Sequence, residues 1–556
     1  MQFIKKNHRA LFFLSWFIIN IIQAAGTGLF DDEAYYWVYS KFPDWGYFDH
    51  PPMISILIKA GYALFHNELG VRLLIVVMNV LSIYIIEKLL PRKNDILFYM
   101  LCYSMALLQI GGIIAVPDIP LTFFTALFFL AYRNFLRSSV TVNALLLGLV
   151  MALMLYSKYH GILIILCVII ANPKLAFKPA AWIAVATGVI LFFPHLYWQY
   201  INGFPSVQFH LFERNATSYR FNYTTEYVLG QLVMPGPLTG WLLLYAAIRY
   251  KPLDSFQKGM KYALFGIYIF FLVSTLKGRV EANWTVPAFI PLIVLSHQYL
   301  MDHFKWKNIL FKTVPFTLAI VFLVRIYMLL DVQPLSFLSK DEFHKSREWA
   351  HSIERKIGNH PVVFLSTYQK ASKFWFYSGK PAFSLNTPTY RRNIYNFLPL
   401  ENDLIGKEVS VISHDNYDYF KDTIHTALGM TGYHNVPHYF SFSKLKVGVE
   451  RQFTVARGSV LQPELRFTAD KNDLAYYQDT AYKNLPLNVY IVIDDRIRFT
   501  IPTKIVLGDI NAEEQTLQAT IHIDLPKGIY YARLGIPSAV EGEPSLNSSP
   551  IKLIVE

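Results

Sequence analysis

The sequence predicts a polytopic α-helical membrane protein with about eleven spans, followed by a soluble region that is first α/β and then all-β. Of its 556 residues, 53% are hydrophobic and 16% are charged, whereas soluble proteins carry about 25% charged residues. The apolar residues concentrate before residue 331, and from about Lys340 the chain alternates polar loops with short strands. This distribution excludes a disordered chain, a collagen-like or repeat fibre and a single soluble enzyme.

The helical part contains eleven apolar runs, several of them shorter than the roughly 20 residues that cross a bilayer as a helix. The first run follows Lys5, Lys6 and Arg9 and also fits a cleaved signal peptide. The many runs that follow favour an uncleaved first span. The runs lie at about 10–25, 70–90, 96–116, 119–135, 144–157, 161–171, 180–200, 228–248, 262–275, 284–300 and 314–330.

The net charge of +12 is distributed as the positive-inside rule demands, with Lys and Arg concentrated in alternate loops. A cytoplasmic N-terminus and eleven crossings place the C-terminal region outside the cytoplasm, and one span more or fewer would reverse this. No nucleic-acid-binding module accompanies the basic residues, so we expect no nucleic-acid partner. The inside loops hold Lys5, Lys6, Arg9, Lys88, Arg92, Lys93, Arg133, Arg137, Lys174, Lys178, Arg249, Lys251, Lys258, Lys261, Lys305, Lys307 and Lys312.

Three domains are predicted: a membrane domain at 1–335, an extracytoplasmic α/β region at 336–437 and a β-sandwich-like domain at 438–556. Helical patterns at 342–357 and 369–377 precede short strands in the second region. Short β-branched runs separated by Asp, Gly and Pro indicate the third. Pro334 is a predicted hinge. Cys102 and Cys167 both fall in apolar runs, which excludes a disulfide framework.

The first outer loop carries acids beside the membrane, in Asp31-Asp32-Glu33 and again at Asp49, which precedes His50. Carboxylates beside hydrocarbon are costly unless they pair, coordinate or catalyse. For Asp32 and Glu33, catalysis and a solvated helix start favoured by the helix dipole both remain open. The aromatic run Tyr35-Tyr36-Trp37 also fits an interfacial belt.

The other outer loops add one acid or cation each, or a small group of them. Asp118 lies between two prolines and fits either a turn residue or a functional acid. Lys158 fits a snorkelling cation or a phosphate ligand. The remaining candidates are His160, Arg214, Lys277, Arg279, Glu281 and Trp284.

Together these residues indicate group transfer at the outer membrane interface. Carboxylates can act as a general base, and Lys or Arg can hold a lipid-borne phosphate. The inner loops contain no P-loop or other nucleotide signature. The donor is therefore not expected to be a cytoplasmic nucleotide.

These motifs resemble the bacterial branch of the dolichyl-phosphate-mannose protein mannosyltransferase superfamily, which includes the aminoarabinose transferase that modifies lipid A. The resemblance rests on residues 32–37 (Asp-Glu-Ala-Tyr-Tyr-Trp), on residues 47–52 (Tyr-Phe-Asp-His-Pro-Pro), and on the segments 117–120, 157–159 and 277–284 in order. It covers about residues 10 to 330. Relatives often carry Lys-Pro-Pro where this chain has His50-Pro51-Pro52, which replaces a permanent cation with a titratable imidazole.

The resemblance implies a membrane glycosyltransferase of the GT-C type in the bacterial inner membrane, using a polyprenyl-phosphate-linked hexose or pentose. It implies that Asp32 is the catalytic base, with Glu33 beside it, and that Lys158, Lys277 or Arg279 stabilises the polyprenyl-phosphate leaving group. Inversion at the anomeric carbon follows. The acceptor stays open between a protein Ser or Thr, lipid A and a lipid-linked glycan. Donor binding is assigned to Asp49, His50, Asp118, Lys158, His160, Arg214, Lys277, Arg279, Glu281 and Trp284.

No ligand spacing resembles a dedicated metal cage, so no metal site is predicted, although a divalent cation remains open as a cofactor. Two other functions compete with the transferase. A transporter or flippase for a lipid-linked glycan predicts charges near mid-span, for which Arg325 is the main candidate. A receptor or assembly factor would use the membrane part only as an anchor, for which eleven spans are excessive.

Overall fold

The computed structural model describes residues 2–214, 219–331, 341–413, 420 and 422–556. Within this range the chain divides into two compact units, Met1–His344 and Lys345–Glu556, which are described separately. The predicted hinge at Pro334 and the predicted boundary between residues 335 and 336 lie outside the described residues.

The first unit is built from α-helices. Its helices are α1 (Gln2–Gly26), α2 (Asp31–Lys41), α3 (Met53–Tyr62), α4 (Glu68–Leu89), α5 (Asp95–Ser104), α6 (Ala106–Ile110), α7 (Asp118–Arg137), α8 (Thr141–Ser157), α9 (Gly161–Ala171), α10 (Pro179–Ile201), α11 (Pro205–Gln208), α12 (Phe221–Val233), α13 (Gly240–Arg249), α14 (Ser255–Ser274), α15 (Phe289–Asp302) and α16 (Phe304–Leu329). Short 3-10 segments at Gly111–Ile113, Pro173–Phe177 and Ala282–Ala288, and a π-helical turn at Phe209–Glu213, join them.

Six helices of this unit are long and apolar enough to cross a membrane, and the polytopic membrane fold is thereby confirmed. A seventh span follows if the pair Asp95–Ser104 and Ala106–Ile113, bent by 78°, counts as one. The other four predicted runs form the shorter helices α8 and α9, the interrupted pair α12 and α13, and α14. The count of eleven spans therefore stays a prediction.

The first outer loop folds into the short helices α2 and α3 between the spans α1 and α4. Tyr35, Tyr36 and Trp37 are buried in the protein, so they form the core of this loop and not a lipid-facing belt. Helix α3 packs closely on α4, where a Cβ on Gly61 would lie 2.3 Å from the carbonyl oxygen of Gly70. The loop is thus a packed layer at one end of the spans α1 and α4.

The second unit begins with an α/β layer and continues as an all-β part. In the first, α17 (Ser346–Ile357) and α18 (Tyr368–Ser378) accompany a five-stranded sheet of order β2-β1-β3-β5-β4. Strands β1 and β2, and β1 and β3, pair in parallel, and the other pairs are antiparallel. These strands are β1 (Val362–Leu365), β2 (Ala382–Leu385), β3 (Val409–Ser413), β4 (Asp422–Thr426) and β5 (Gly429–Val436).

The all-β part contains a six-stranded sheet, in which β15 pairs with β14 beside the path β11-β10-β14-β16-β7, and smaller sheets β12-β9-β6 and β13-β8. Leu465, Phe467, Ile491 and Leu534 of different sheets share one apolar core, as a sandwich requires. The elements are β6 (Lys446–Gly448), β7 (Gln452–Val455), β8 (Ser459–Leu461), β9 (Glu464–Thr468), α19 (Lys471–Tyr477), β10 (Pro486–Ile493), β11 (Arg496–Val506), β12 (Glu514–Gln518), β13 (Ile521–Ile523), β14 (Gly528–Ile536), β15 (Ser545–Leu546) and β16 (Ile551–Val555).

Candidate active site

A buried ion pair anchors the first outer loop. Arg72 Nε donates to Glu33 Oε1 at 2.7 Å, and both side chains are fully buried. The backbone N–H groups of Phe30 and Ala115 also donate to the Glu33 carboxylate, at 2.8 and 2.7 Å. Arg72 in turn donates to the carbonyl oxygens of Thr27 and Gly28, among others. Glu33 therefore ties α2 to α4 and to the segment before α7.

Asp32 precedes Glu33 directly but lies in a more exposed environment. It occupies the first turn of α2, where the helix dipole favours a negative charge, and its side chain is partly exposed. Residues four and seven further along a helix share a face with it, and here these are Tyr36 and Tyr39. That face of α2 points to the second motif of the loop, since the Tyr36 ring lies 5.4 Å from the ring of His50.

Asp49 and His50 form this second motif and are both buried. The Tyr39 hydroxyl donates to Asp49 Oδ1, and burial, followed by the Asp49 charge, raises the Tyr39 pKa well above its usual value. The backbone carbonyl of Asp49 accepts a hydrogen bond from His210 Nε2 at 2.8 Å. The rings of His50 and His210 are 6.2 Å apart, so two imidazoles meet beside the carboxylate.

Asp118 and Lys158 form a second buried ion pair, with Lys158 Nζ 2.8 Å from Asp118 Oδ1. Their residues are only 3% and 5% exposed. The other Asp118 oxygen accepts from Asn283 Nδ2 at 3.2 Å. Lys158 is therefore held inside the protein and does not snorkel to the surface. The two predicted candidates come together because α7 begins at Asp118 and α8 ends at Ser157.

Trp284 links cations from two other segments of the chain. Its ring lies 4.3 Å from the Arg214 guanidinium carbon and 5.8 Å from Lys158 Nζ. The His160 ring is 5.4 Å away. A Trp face attracts cations through its quadrupole, so Trp284 places Arg214 and Lys158 on one aromatic platform.

The imidazoles of His160 and His210 lie beside these cations. Burial lowers the pKa of His160 well below its usual value, and the nearby Lys158, His210, His50 and Arg214 lower it further. Burial also lowers the pKa of His210. The nearby charges of Arg214 and Lys158 lower it further, because they disfavour a protonated imidazole. The Lys158 ammonium and the Arg214 guanidinium, brought together at the Trp284 ring, can jointly hold an anionic oxygen.

A polar network fixes the loop that carries Asp49 against α10. His195 Nδ1 bonds the carbonyl oxygen of Trp45 at 2.7 Å, and its Nε2 lies 2.9 Å from the Tyr159 hydroxyl. Since a carbonyl only accepts, Nδ1 carries the proton and Nε2 accepts from Tyr159. Gln199 Nε2 donates to Ser206 Oγ, which donates to the carbonyl oxygen of Phe48. Asp49 therefore has a rigid support.

Three predicted candidates lie apart from this buried group. Lys277 and Arg279 are exposed, and Arg279 Nε is 3.9 Å from Glu226 and 3.7 Å from Glu281. Exposed pairs of this kind contribute little to stability. Lys277, Arg279 and Glu281 therefore occupy the surface of the outer loops, while Trp284, next in the same segment, turns inward.

One group among the described residues has metal-ligand geometry: Asp331, Asp341 and His344, whose ligand atoms lie within 4.8 Å of one another. None of these residues belongs to the predicted site. Whether a divalent cation takes part at the site stays open.

Sequence reasoning missed Arg72 and the support network around Tyr39, Tyr159 and His195. Arg72 carried a usable signal, because an arginine inside an apolar run implies a buried partner. The tyrosines and His195 carried none, since aromatic residues near membrane ends are common.

Residues 49–198 match the family described as dolichyl-phosphate-mannose-protein mannosyltransferase. The chain is 23% identical over 311 residues to the lipid A galacturonosyltransferase RgtD of Rhizobium johnstonii, an alignment that covers 53% of this chain and 65% of that protein. The chain thus spans less than two thirds of the length of this curated relative.

The fold matches that of ArnT from Cupriavidus metallidurans, with a TM-score of 0.57 in both its apo structure and its structure bound to undecaprenyl phosphate. The identities are 11% and 12%, and the matches cover 77% and 76% of this chain and 97% of ArnT in each case. The resemblance predicted from the sequence is confirmed. The chain shares the GT-C fold, in which helical spans precede a C-terminal β-sheet region.

Proposed function

We propose that this chain is an inverting glycosyltransferase that moves a sugar from a polyprenyl-phosphate carrier to a hydroxyl of lipid A at the outer face of the inner membrane. The observation that carries the proposal is the pocket at Trp284, where the buried Lys158 ammonium and the Arg214 guanidinium lie 5.8 and 4.3 Å from the indole ring. It belongs to a fold that in ArnT binds undecaprenyl phosphate. A lipid phosphate at the membrane surface satisfies the charge of such a pocket.

In the proposed reaction Asp32 accepts the proton of the acceptor hydroxyl while its oxygen attacks the anomeric carbon. The bond from that carbon to the phosphate oxygen breaks, and polyprenyl phosphate leaves with the electron pair. Lys158 and Arg214 stabilise the charge that develops on the phosphate. Attack opposite the leaving group inverts the anomeric centre. The leaving phosphate needs no proton, so one carboxylate base is sufficient.

Lipid A is favoured over a protein acceptor because RgtD, the curated relative, is a lipid A galacturonosyltransferase. The sugar stays open between a hexose and a pentose. We place the C-terminal unit on the extracytoplasmic side, as the predicted topology requires. The helical unit is surrounded by membrane lipids.

The experiment is transfer from a radiolabelled polyprenyl-phosphate sugar by the purified full chain, offered lipid A, a Ser/Thr-rich protein and a lipid-linked glycan separately. The proposal expects label on lipid A, with the anomeric configuration opposite to that of the donor. Retention of configuration would contradict the mechanism, and label on the protein alone would move the acceptor to protein hydroxyls.

A transporter or flippase for a lipid-linked glycan is the second candidate, favoured by one feature. The helix pair α5 and α6 is bent by 78°, and Arg325 Nη2 of α16 donates to Gln109 in α6 and to Asn20 in α1 at 2.6 Å. Broken helices beside a buried charge are typical of transporters. Movement of a fluorescent lipid-linked glycan across reconstituted vesicles, without consumption of the carrier bond, would favour this function.

A further inference from the structure

A cavity of about 150 Å³ lies among α7, α8, α9 and α10. Its lining is almost wholly apolar and includes Phe128, Phe135, Leu147 and Ile165. An apolar cavity of about 150 Å³ stays dry and takes benzene, so this one has room for about six carbons of an acyl chain. Nothing in the proposed transfer reaction uses it.

The cavity opens to the surface that apolar helices present to lipid. Two of its lining side chains, Ile169 and Trp182, are 37% and 61% exposed. Trp182 Nε1 donates to the carbonyl oxygen of Ala176 at 2.9 Å, which fixes the indole at the entrance. Phe177, in the 3-10 turn beside it, is 87% exposed. Exposed Trp and Phe at a helix end are typical of the membrane interface.

Cations surround this entrance. Lys178 Nζ lies 5.9 Å from the centre of the Phe135 ring, which lines the cavity, and 3.4 Å from Ser139 Oγ. Lys174 is exposed in the same 3-10 turn, and Arg137 is exposed at the end of α7. An apolar slot with lysine at its mouth is complementary to a lipid with an anionic head.

The cavity is separate from the candidate active site. Helix α7 begins at Asp118, in the active site, and ends 20 residues later at Arg137, about 30 Å away at 1.5 Å per residue. The lining residues Phe128 and Phe135 belong to its second half. The positive-inside distribution assigns Arg137, Lys174 and Lys178 to the opposite membrane face from Asp118.

We infer that this cavity binds an anionic phospholipid of the leaflet at that face, with one acyl chain in the slot and the phosphate against Lys178 and Lys174. The chain and the headgroup are recognised by different parts of the site, so each can be removed separately. The inference does not depend on the proposed transferase activity.

The test is native mass spectrometry of the full chain in detergent with phosphatidylglycerol or phosphatidylcholine of identical acyl chains. The fraction of protein that retains phosphatidylglycerol is expected to be at least tenfold higher than the fraction that retains phosphatidylcholine. Lys178→Gln is expected to reduce its retention about fivefold, the factor for one interfacial cation. The matched control is Lys307→Gln, a lysine of α16 whose Nζ likewise lies beside an aromatic ring, 5.5 Å from that of Phe304, and it should leave retention unchanged. Equal retention of both lipids would overturn the headgroup assignment.

The acyl-chain slot is tested with Val185→Phe, which fills the cavity that Val185 lines. Its control is Val189→Phe, one turn further along α10, where the side chain is 55% exposed and is not part of the cavity lining. Phosphatidylglycerol retention is expected to fall at least fivefold in the first variant and to stay unchanged in the second. An equal effect of the two substitutions would overturn the proposal that the chain occupies this cavity.

Discussion

Asp32 and Glu33 are adjacent acids that the fold treats differently. Glu33 accepts from Arg72 and from two backbone N–H groups in a fully buried site, whereas Asp32 remains partly exposed. Both oxygens of Glu33 are thus occupied by protein donors, and neither is open to the hydroxyl of an acceptor. We therefore expect Glu33 to position the loop and Asp32 to be the base.

Breaking the Glu33–Arg72 pair should strongly destabilise the first unit. Glu33→Gln leaves the Arg72 charge buried without a carboxylate, which costs about 3–5 kcal/mol. The measurement is thermal unfolding of the detergent-solubilised protein, where a clear drop in midpoint is expected.

The double variant Glu33→Met with Arg72→Met separates the charge from the packing. It should be more stable than Glu33→Gln alone, since apolar pairs can replace buried ion pairs. Arg279→Gln, at an exposed pair, should change stability by less than about 0.5 kcal/mol. If Glu33→Gln unfolds at the wild-type temperature, the anchoring role is wrong.

Lys158 should contribute far more to donor binding than Lys277, although both are outer-loop lysines. Lys158 is buried beside Trp284, where a charge-assisted hydrogen bond contributes about 1.5–3 kcal/mol. Lys158→Gln, combined with Asp118→Asn so that no carboxylate is left unpaired, should weaken polyprenyl-phosphate binding about 10- to 100-fold.

The matched variant Lys277→Gln should change the Kd less than about threefold, because an exposed charge is screened by water. Calorimetry with the purified protein measures both constants. Equal losses in the two variants would contradict a buried phosphate site at Lys158. From the sequence alone, both lysines were predicted as phosphate ligands, because the sequence does not show which side chains are buried. The ion pair that holds Lys158 inside the protein joins it to Asp118, a residue 40 positions earlier in the chain.

The irregular segments, more than the long helices, assemble the site. The π-helical turn Phe209–Glu213 carries His210 and precedes Arg214, and the 3-10 segment Ala282–Ala288 carries Asn283 and Trp284. Hydropathy and periodicity identify long elements but not such turns. The sequence therefore predicted Arg214 and Trp284 as candidates without indicating that they stack 4.3 Å apart.

The half-buried imidazoles of His160, between α8 and α9, and His210, after α11, should make stability depend on pH. The pKa values of His160 and His210 are below the usual 6.5 in the folded protein. The unfolded chain therefore binds more protons below about pH 6.5, so this stability is complete above that pH and is lost as the pH falls. The unfolding midpoint should decrease from pH 7 to pH 5.

His160→Gln should reduce this pH dependence, whereas His66→Gln, at an exposed position on the first outer loop, should not. Bound polyprenyl phosphate should reduce the loss of stability at low pH, because an anion favours the protonated imidazoles. A pH profile that is identical in wild type and His160→Gln would show that this imidazole is not linked to folding.

For the whole molecule, the sequence predicted the fold class and a helix at each of its apolar runs but missed the apolar helix α3, and its count of about eleven spans stays a prediction. The predicted run at 228–248 is interrupted at Gly236, which has a φ of 153° and packs against the carbonyl of Ser104. Pro235-Gly236 marks such a break, but only packing decides whether the two halves cross the membrane together. The first outer loop was predicted as a loop because α2 and α3 are only 11 and 10 residues long, too short to cross a membrane as helices.

The membrane topology is a prediction that concerns the whole chain. With an odd number of crossings, a periplasmic reporter such as alkaline phosphatase fused after Glu556 should be active, and a cytoplasmic reporter should not. A fusion within the loop at Lys174 should give the reverse pattern. Cytoplasmic activity after Glu556 would reverse the orientation of the outer loops and remove the basis for an outer-face site.

The central claim is that Asp32 is the base of a polyprenyl-phosphate sugar transferase. Its most direct test is the single-turnover rate of transfer to lipid A by Asp32→Asn, with donor affinity measured in parallel and Asp31→Asn as the matched control on another face of α2. The account predicts a rate at least 100-fold lower for Asp32→Asn, donor affinity within about threefold of wild type, and near-normal transfer by Asp31→Asn. A wild-type rate in Asp32→Asn would contradict it.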